Sequence, residues 1–442
     1  TKLNSSGAHQ WTTTFGGTSD DNGYGVAVDG SGNVYATGTF RNTVNFGAGN
    51  VTSAGSYDVF VTKLNSSGAH QWTTTFGGTG NDNSYGLAVD GSGNVYITGV
   101  FEGTVDFGAG NVTSNGDKDV FVTKLNSSGA HQWTTTIGGA STDSGYGVAV
   151  DGSGNVYATG HFRNTVNFGA GNVTSAGSND VFVTKLNSSG AHQWTTTFGG
   201  TGTEGARGVA VDGSGNVYAI GFFYLTVNFG AGNVTSKGIA DVFVTKLNSS
   251  GAHQWTTTLG GTNNDIGYGV AVDGSGNVYV TGSFKGFVDF GVGFVTSAGN
   301  SDVFVTKLNA AGVHQWTNTF GSHPSEYGYG VAVDGSGNVY TSGYFSGTVN
   351  FGAGNVTSAG SGDVFVTKLN AAGVHQWTTT LGGDGNDGGK GLALDAAGNV
   401  HVTGQFSGTV DFGAGNVTSA GDKDVFVTKL NAAGVHQWTT TL

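Results

Sequence analysis

The 442-residue sequence contains no cysteine and no methionine, and it has a single proline, Pro324. Without cysteine, the chain can form neither a disulfide framework nor a thiolate metal site. The absence of methionine includes an initiator residue, and Thr1 falls within a predicted strand. We therefore expect the chain to be a segment of a longer protein, with any signal peptide outside it. The proline falls in a predicted loop, so it interrupts no predicted strand pairing.

Charged residues are scarce and mostly acidic. They make up 10% of the chain, and 16 Lys and Arg against 29 Asp and Glu give a net charge of −13 at pH 7. Half of the basic residues are one lysine of a repeated Thr-Lys-Leu-Asn motif, so no basic patch is predicted. This balance argues against nucleic acid and anionic membranes as partners. No apolar run approaches the roughly 18 residues of a transmembrane helix, so we predict no membrane insertion.

Tryptophan recurs at a constant interval of 61 residues, at positions 11, 72, 133, 194, 255, 316, 377 and 438. Seven periods account for 427 residues, and the remaining 15 form a partial eighth copy. No insertion or deletion interrupts this register. Such a period predicts one repeat domain rather than several independent domains.

One unit, residues 16–76, contains four runs typical of β-strands and no helical periodicity. The runs are Gly25–Asp29, Val34–Gly38, Val59–Leu64 and Gln71–Phe76. Turns rich in Gly, Asp, Asn and Ser join the first run to the second and the third to the fourth, as in β-hairpins. A longer polar segment separates the second run from the third.

Four antiparallel strands repeated seven times are typical of the blades of a β-propeller. The first strand holds Gly, Val and Ala whereas the last holds Trp, Thr and Phe, as a wedge-shaped blade requires. A β-helix would need coils of about 20 to 30 residues. We predict an all-β, seven-bladed β-propeller of four-stranded antiparallel blades. The predicted blades are 16–76, 77–137, 138–198, 199–259, 260–320, 321–381 and 382–442.

A sequence pattern in every unit supports this fold. In the first unit it runs from Gly16 to Gly38, as Gly-Gly-x(3)-Asp-x(2)-Tyr-Gly-Val-Ala-Val-Asp-Gly-Ser-Gly-Asn-Val-Tyr-Ala-Thr-Gly. It resembles the bacterial seven-bladed β-propeller repeat of the SBBP type and, more distantly, NHL-like propellers. The resemblance implies a bacterial surface or secreted protein that binds or scaffolds, and it implies no defined reaction.

The seven copies differ mainly after the second strand and in the connectors between units, which share one face of a propeller. The residue after the second-strand glycine differs in every copy: Thr39, Val100, His161, Phe222, Ser283, Tyr344 and Gln405. Two positions later stand Arg41, Glu102, Arg163, Tyr224, Lys285, Ser346 and Ser407. The pairs before the third strand also vary, from Ser56-Tyr57 to Ile239-Ala240.

This variation has two interpretations. It is either a recognition surface or drift at solvated loop tips. The turns on the opposite face hardly change, which favours recognition. Aromatic and arginine side chains are the usual anchors of interfaces, so Phe222, Tyr224, Tyr344, Arg41 and Arg163 are the strongest predicted contacts.

Each connector also holds one carboxylate, and a large side chain follows it by three residues. The carboxylates belong to Asp21, Asp82, Asp143, Glu204, Asp265, Glu326 and Asp387. The large side chains are Tyr24, Tyr85, Tyr146, Arg207, Tyr268, Tyr329 and Lys390. Both sets precede the innermost strand, so we expect them to crown the central channel. The carboxylates either attract a cation or cationic ligand or cap backbone N–H groups of their own turns. Arg207 and Lys390 complete the predicted ligand-binding set.

No metal, cofactor or catalytic centre is predicted. The repeated histidines lie on the outermost strands, too far apart to share an ion. The Asp29–Asn33 turn lacks the spaced carboxylates of a calcium loop. Catalysis needs a unique set of groups, and most polar residues here occur sevenfold. His161, Glu204 and Arg207 on neighbouring units are the one set that could converge.

Residues 1–15 nearly duplicate residues 428–442, so the chain holds eight outer strands for seven blades. One hypothesis is that the N-terminal copy completes blade seven and displaces the C-terminal copy. The other is that the spare strand pairs with another molecule, which would build a chain or filament.

The composition, with 84 glycines and abundant Thr, Ser and Asn, is typical of proteins on the exterior of bacteria. We predict a non-enzymatic extracellular or cell-surface module for binding or adhesion, which recognises a protein or glycan through the variable face. One alternative is a structural building block of a surface layer or filament that self-associates through residues 1–15 or 428–442. A further alternative is a hydrolase or lyase.

Overall fold

The computed structural model describes residues 17–291, 293–413 and 415–441, and the strand backbone at 2–3, 9–11 and 13–14. These residues form strands, turns and bends. None of the described residues belongs to a helix that is long and apolar enough to cross a membrane.

The chain forms a seven-bladed β-propeller, and each blade is one predicted unit. Within a blade the four main strands pair antiparallel in chain order, from the first strand to the fourth. The first, innermost strands are Asn22–Val28, Asn83–Val89, Ser144–Val150, Glu204–Val211, Ile266–Val272, Tyr327–Val333 and Gly388–Leu394. The second strands are Val34–Phe40, Val95–Phe101, Val156–Phe162, Val217–Asn228, Val278–Phe284, Val339–Phe345 and Val400–Phe406. The third strands are Asp58–Leu64, Asp119–Leu125, Asp180–Leu186, Asn233–Leu247, Asp302–Leu308, Asp363–Leu369 and Asp424–Leu430. The fourth strands are His70–Phe76, His131–Ile137, His192–Phe198, His253–Gly261, His314–Phe320, His375–Gly383 and His436–Thr441. The predicted fold class is confirmed.

The ring closes between blade seven and blade one through the same backbone hydrogen bond that joins every other pair of blades. The backbone N–H of Asp21 donates to the carbonyl of Lys423 at 2.8 Å, just as Asp82 N–H donates to Tyr57 at 2.8 Å. Blade seven takes its fourth strand from the C-terminal copy, so the hypothesis that the N-terminal copy displaces it is wrong. The C-terminal copy follows its own third strand through a tight turn, so its pairing closes only a short loop.

The N-terminal copy contributes one short strand, Thr13–Thr14, which pairs parallel with Thr440–Thr441 at the outer edge of blade seven. Residues 2–3 and 9–11 form a separate two-stranded sheet. Assembly of several molecules through this segment stays a prediction.

A β-bulge occurs near the start of every innermost strand. In blade one, Gly23 pairs with Gly38 and Gly25 with Thr37, so Tyr24 is the extra residue that has no ladder partner. The same shift in register leaves Arg207 of blade four and Lys390 of blade seven without a ladder partner. A bulge redirects the side chain of its extra residue, and here it turns one large side chain per blade away from the packed sheet.

Glycine next to the bulge lets the innermost strands approach each other. A Cβ atom at Gly25 would lie 3.1 Å from the Leu87 Cβ and 3.2 Å from the Tyr85 carbonyl oxygen of the next blade. Equivalent glycines occupy all seven blades. The predicted slim inner strand therefore follows from close backbone packing near the axis.

The hydrophobic core lies between neighbouring blades. Tyr35 and Val61 of blade one, for example, pack with Ile97 and Phe101 of blade two, and all four are fully buried. The repeated tryptophan ties the outer strand to the next blade, since Trp72 Nε1 donates to the Ser127 carbonyl at 3.1 Å. This contact accounts for the constant period of tryptophan.

The polar segment between the second and third strands is more ordered than the sequence predicted. It folds into a small hairpin: Thr43–Asn45/Asn50–Thr52, Thr104–Asp106/Asn111–Thr113, Thr165–Asn167/Asn172–Thr174, Phe287–Asp289/Phe294–Thr296, Thr348–Asn350/Asn355–Thr357 and Thr409–Asp411/Asn416–Thr418. In blade four it merges with the second and third strands. Phe46, just after the first hairpin strand, is buried against Phe40 and Phe60. The buried Val44 and Phe46, together with the half-buried Val51, were the apolar signal for this hairpin.

Candidate functional site

The seven bulged side chains form a ring around one opening, as predicted. They line a cavity of about 250 Å³ at which the innermost strands meet. Tyr85 packs between Tyr24, at 5.3 Å between ring centroids, and Tyr146, at 5.1 Å. Tyr268 and Tyr329 pack at 5.1 Å on the other side. We call this ring of five tyrosines, Arg207 and Lys390 the channel mouth.

The two cations of the channel mouth lie on tyrosine faces. The Arg207 guanidinium is 4.2 Å from the Tyr146 ring centroid and 5.4 Å from that of Phe222. The Lys390 ammonium is 3.7 Å from the Tyr329 centroid. Neither cation forms an ion pair with a carboxylate in the described part of the chain. Burial, with a smaller effect from Lys423, lowers the pKa of Lys390 to about 8.

The repeated carboxylates are not part of the channel mouth, contrary to our expectation. Each is buried in its own turn, where it accepts backbone hydrogen bonds. Asp82 accepts from Gly78 N–H at 2.8 Å and from Glu102 N–H at 2.9 Å. Burial raises the pKa of all seven carboxyl groups, to about 6 or 7. Of the two interpretations, capping of the turn is the one the structure shows.

The variable residues after the second-strand glycine lie within the strand, not at a loop tip. Because these positions face the packed junction between blades, small side chains there are covered, and Thr39, Val100 and Ser283 are buried. They therefore leave the set of candidate contacts. His161, Phe222, Tyr344 and Gln405 are half-buried beneath the channel mouth.

His161 and Arg207 come together, but Glu204 does not join them. The His161 ring lies 5.6 Å from Tyr146, and burial, with Arg207 nearby, lowers the pKa of His161 to about 4. Glu204 instead accepts the Gly200 N–H at 3.0 Å within its own turn. The one predicted catalytic combination is therefore not assembled.

The variable residues two positions later reach the rim. Arg41, Arg163 and Lys285 are exposed. Glu102 pairs with Lys118 at 3.9 Å, and Tyr224 packs edge-on against Phe222 at 5.9 Å. Ser346 is buried and Ser407 half-buried, so only part of this set is accessible. The backbone N–H groups at these positions donate hydrogen bonds to the buried carboxylates. Arg41 N–H, for example, donates to Asp21 at 3.0 Å.

A second cavity, of about 360 Å³, lies between blades six and seven beside the channel mouth. Its aromatic wall consists of Tyr327, Tyr329 and Tyr344, and Lys390 and Gln405 lie opposite on blade seven. We call it the blade six–seven cleft. The other copies have Asn, Ser, Gly or Ile at the position of Tyr327.

Four exposed apolar side chains on blades four and five were not singled out by sequence reasoning. Leu225, Ile239, Phe287 and Phe294 are 56%, 53%, 58% and 76% exposed, and we call them the apolar patch. Within the described ranges, the other large exposed apolar residues are valines in turns on the opposite face. Comparison of the copies would have identified two of these residues, because the six other copies have Thr at the position of Phe287 and Asn at that of Phe294.

The two parts of the patch meet at the junction of blades four and five, where Asn263 lies next to both. Ile239 N–H donates to the Asn263 carbonyl at 3.2 Å, and a Cβ at Gly286, next to Phe287, would lie 2.5 Å from the Asn263 side chain. In the hairpin, Phe287 faces Thr296 and Asp289 faces Phe294. Both phenylalanines therefore project from the same face of the ribbon.

The repeated histidines have local partners. His131 Nε2, for example, lies 2.9 Å from Thr134 Oγ1 on the same strand. Among the described residues, no group of three His, Asp or Glu side chains is arranged to hold a metal ion.

Comparison with known proteins agrees with the geometry. The SBBP family model, described as a beta-propeller repeat, matches residues 10–39, 71–100, 132–161 and 254–283. The chain carries SBBP repeats. The last three matched segments begin in the outer strand of a blade, and all four end at the variable second-strand position. The resemblance noted from the sequence is thus confirmed.

Two curated relatives align with most of this chain. An uncharacterized WD repeat-containing protein of Acanthamoeba polyphaga mimivirus is 22% identical over 90% of this chain and 36% of its own length. Regulatory protein FlaEY of Caulobacter vibrioides is 26% identical over 87% of this chain and 43% of its own length. The chain therefore spans less than half the length of these relatives.

Solved structures similar to this chain include the Neurospora crassa Pan2 WD40 domain, with 9% identity and a TM-score of 0.43 over 86% of this chain and 85% of that one. A Synechocystis apocarotenoid oxygenase has 10% identity and a TM-score of 0.44 over 98% and 92% of the two chains. Likeness at this level carries no information on function.

Proposed function

We propose that this chain is a non-enzymatic, extracellular protein-binding scaffold whose apolar patch is the main contact with the partner. The observation that carries the proposal is the patch itself. Four large apolar side chains are gathered on two adjacent blades and stay exposed. Several exposed apolar side chains in one region of a surface are typical of interaction sites.

The backbone at Leu225 supports a functional role for the patch. Leu225 has φ of 55°, in the left-handed region, where the other copies have Asn42, Gly103, Asn164, Gly286, Gly347 and Gly408. A leucine there costs about 1 kcal/mol relative to glycine. Since its side chain is also exposed, folding gains nothing from it that would offset this cost. Strain at an exposed residue is a signal of function.

Two lysines absent from the repeat pattern flank the patch. Lys237 replaces Ala or Asn of the other copies, and Lys285 precedes the blade-five hairpin; both are exposed. Lys237 also lies close to this hairpin, since it adds to the effect of the Gly291 N–H in lowering the pKa of Asp289. A partner surface that is apolar and bordered by carboxylates would complement this arrangement.

The non-enzymatic part of the proposal rests on the repeated chemistry of the chain and on the failure of His161, Glu204 and Arg207 to assemble. It agrees with the printed names of the relatives, a WD repeat-containing protein and a regulatory protein. The extracellular part rests on composition, with many glycines, few charges and no cysteine.

Reversal of the patch to the residues of the other copies tests the proposal. We expect Phe287→Thr with Phe294→Asn to weaken partner binding at least tenfold, since interfaces concentrate their energy in a few aromatic side chains. The wild type and the variant serve as paired baits, and any protein retained by the wild type is identified and titrated calorimetrically against both. A Thr104→Ala, Asn111→Ala variant of the blade-two hairpin is the control. Equal affinity of the partner for wild type and patch variant would refute the proposal.

The strain at Leu225 gives a separate prediction. Leu225→Asn should raise the free energy of unfolding by about 0.5–1 kcal/mol, because asparagine accepts the left-handed conformation more readily. It should also weaken partner binding, since it removes exposed apolar surface. Denaturant unfolding measures the first effect and calorimetry the second. The interpretation fails if the variant is less stable than the wild type.

A further inference from the structure

Lys390 stands where the channel mouth meets the blade six–seven cleft, and its side chain lines both. Five of the other copies have tyrosine at this position and one has Arg207. The bulge that carries Lys390 is the same as in the tyrosine-bearing blades. The lysine is therefore not required by the fold, since tyrosine fills the same backbone position elsewhere in the ring.

The Lys390 side chain is half-buried, and its ammonium has no anionic partner among the described residues. It rests 3.7 Å from the Tyr329 ring centroid and forms no ion pair with a described carboxylate. Burial lowers the pKa of Lys390 only to about 8, so the group is charged at neutral pH. A desolvated charge is unfavourable until an opposite charge pairs with it. The missing partner is an anion.

The shape of the cleft restricts what carries that anion. Tyr327 and Tyr329 are nearly parallel, at 6.0 Å and 18° between ring planes, and Tyr344 extends this wall, 6.2 Å from Tyr327. Such a wall packs against an apolar or aromatic body. The Gln405 side chain, also in the lining, offers an amide donor beside the single ammonium. Of the described residues in the lining, Lys390 is the one cation, with Lys423 further away, and one cation with neutral donors suits a monovalent carboxylate better than a dianionic phosphate.

We propose that the blade six–seven cleft is a binding site for a carboxylate attached to an apolar or aromatic body, with Lys390 as the group that pairs with the carboxylate. The body packs on the three tyrosines and Gln405 donates to a carboxylate oxygen. This site is separate from the apolar patch, which lies on blades four and five. Either proposal can therefore be refuted without affecting the other. In a protein partner, a C-terminal aromatic or aliphatic residue would supply both the carboxylate and the apolar body.

The test uses 3-phenylpropionate as the probe, titrated into the full chain at pH 7 and low salt by calorimetry and by NMR. We expect saturable binding, and at least tenfold weaker binding of the uncharged 3-phenylpropanol and of inorganic phosphate. Lys390→Tyr should weaken binding of 3-phenylpropionate at least tenfold, whereas Lys390→Arg should retain it. Lys390→Tyr is expected to fold, because five blades already carry tyrosine there, and its thermal melt checks this.

The matched control is Arg207→Tyr, which changes the other cation of the ring and should leave binding of the probe unchanged. The Phe287→Thr, Phe294→Asn variant should also bind 3-phenylpropionate normally, which separates this site from the proposed protein contact. Equal binding of the acid and the alcohol would overturn the proposal, as would tighter binding of phosphate. Undiminished binding to folded Lys390→Tyr would also overturn it.

Discussion

Replacing Phe304 with alanine is expected to lower the free energy of unfolding by about 3–5 kcal/mol. Phe304 lies on the third strand of blade five and is fully buried. Its ring is 5.3 Å from Phe290 and belongs to a cluster that includes Ile220 and Val242 of blade four. It also covers Gly282 so closely that a Cβ there would lie 2.6 Å from the ring. Truncation therefore leaves a cavity between blades that the rigid sheets cannot fill.

Phe294, on the same blade, is the matched control. Because it is 76% exposed, Phe294→Ala should change the free energy of unfolding by no more than about 0.5 kcal/mol. Chemical denaturation followed by tryptophan fluorescence compares the two variants under the same conditions. If the two substitutions cost the same, the core does not lie between the blades as described.

The cost of Asp265→Asn is expected to depend strongly on pH. Burial raises the pKa of Asp265 from its ordinary 3.8 to about 7. A raised pKa in the folded protein means that this carboxyl group contributes stability at low pH and loses it as the pH rises through about 7. Asparagine does not titrate. Between pH 5 and pH 8 the variant should therefore gain about 2 kcal/mol relative to the wild type.

This comparison isolates one group, since the histidines and other carboxylates titrate alike in both proteins. Asp273, in the opposite turn of the same blade, serves as the control. Although burial acts the other way, hydrogen bonds from Asn277, Tyr279 and Ser275 hold the pKa of Asp273 below 3.8. Asp273→Asn should thus cost the same at pH 5 and pH 8. Urea unfolding at the two pH values measures these differences in the free energy of unfolding. The same cost of Asp265→Asn at both pH values would contradict the prediction.

Much of the fold could be predicted from the sequence because each unit repeats the same pattern of strand and turn residues. The tryptophan period marks the blades, since the indoles of blades one to six bond to the next blade, as Trp72 does to Ser127. Small residues such as Gly25 mark the innermost strand because the backbones approach each other there. The hairpin after the second strand was missed, since polar residues dominate it and one buried phenylalanine, Phe46, anchors it.

The candidate site was less predictable because variability does not report exposure. Thr39 and Val100 vary between copies, yet both are buried. Tyr24 and Lys390 could be placed at the opening, but not the bulge that directs them there, because a bulge depends on pairing with a neighbouring strand. The apolar patch is found by a different comparison of the copies. It looks for positions at which one copy has an apolar residue where the others have a polar one, not for positions with many residue types.

The bulge at the head of each inner strand releases one side chain per blade from the hydrogen-bonded ladder. Its identity can change from Tyr24 to Arg207 or Lys390 while the flanking backbone pairs stay the same. The backbone pairing that shapes each blade is thus independent of which side chain the bulge carries. Single substitutions at the seven positions can therefore change the chemistry of the opening without altering the architecture around it.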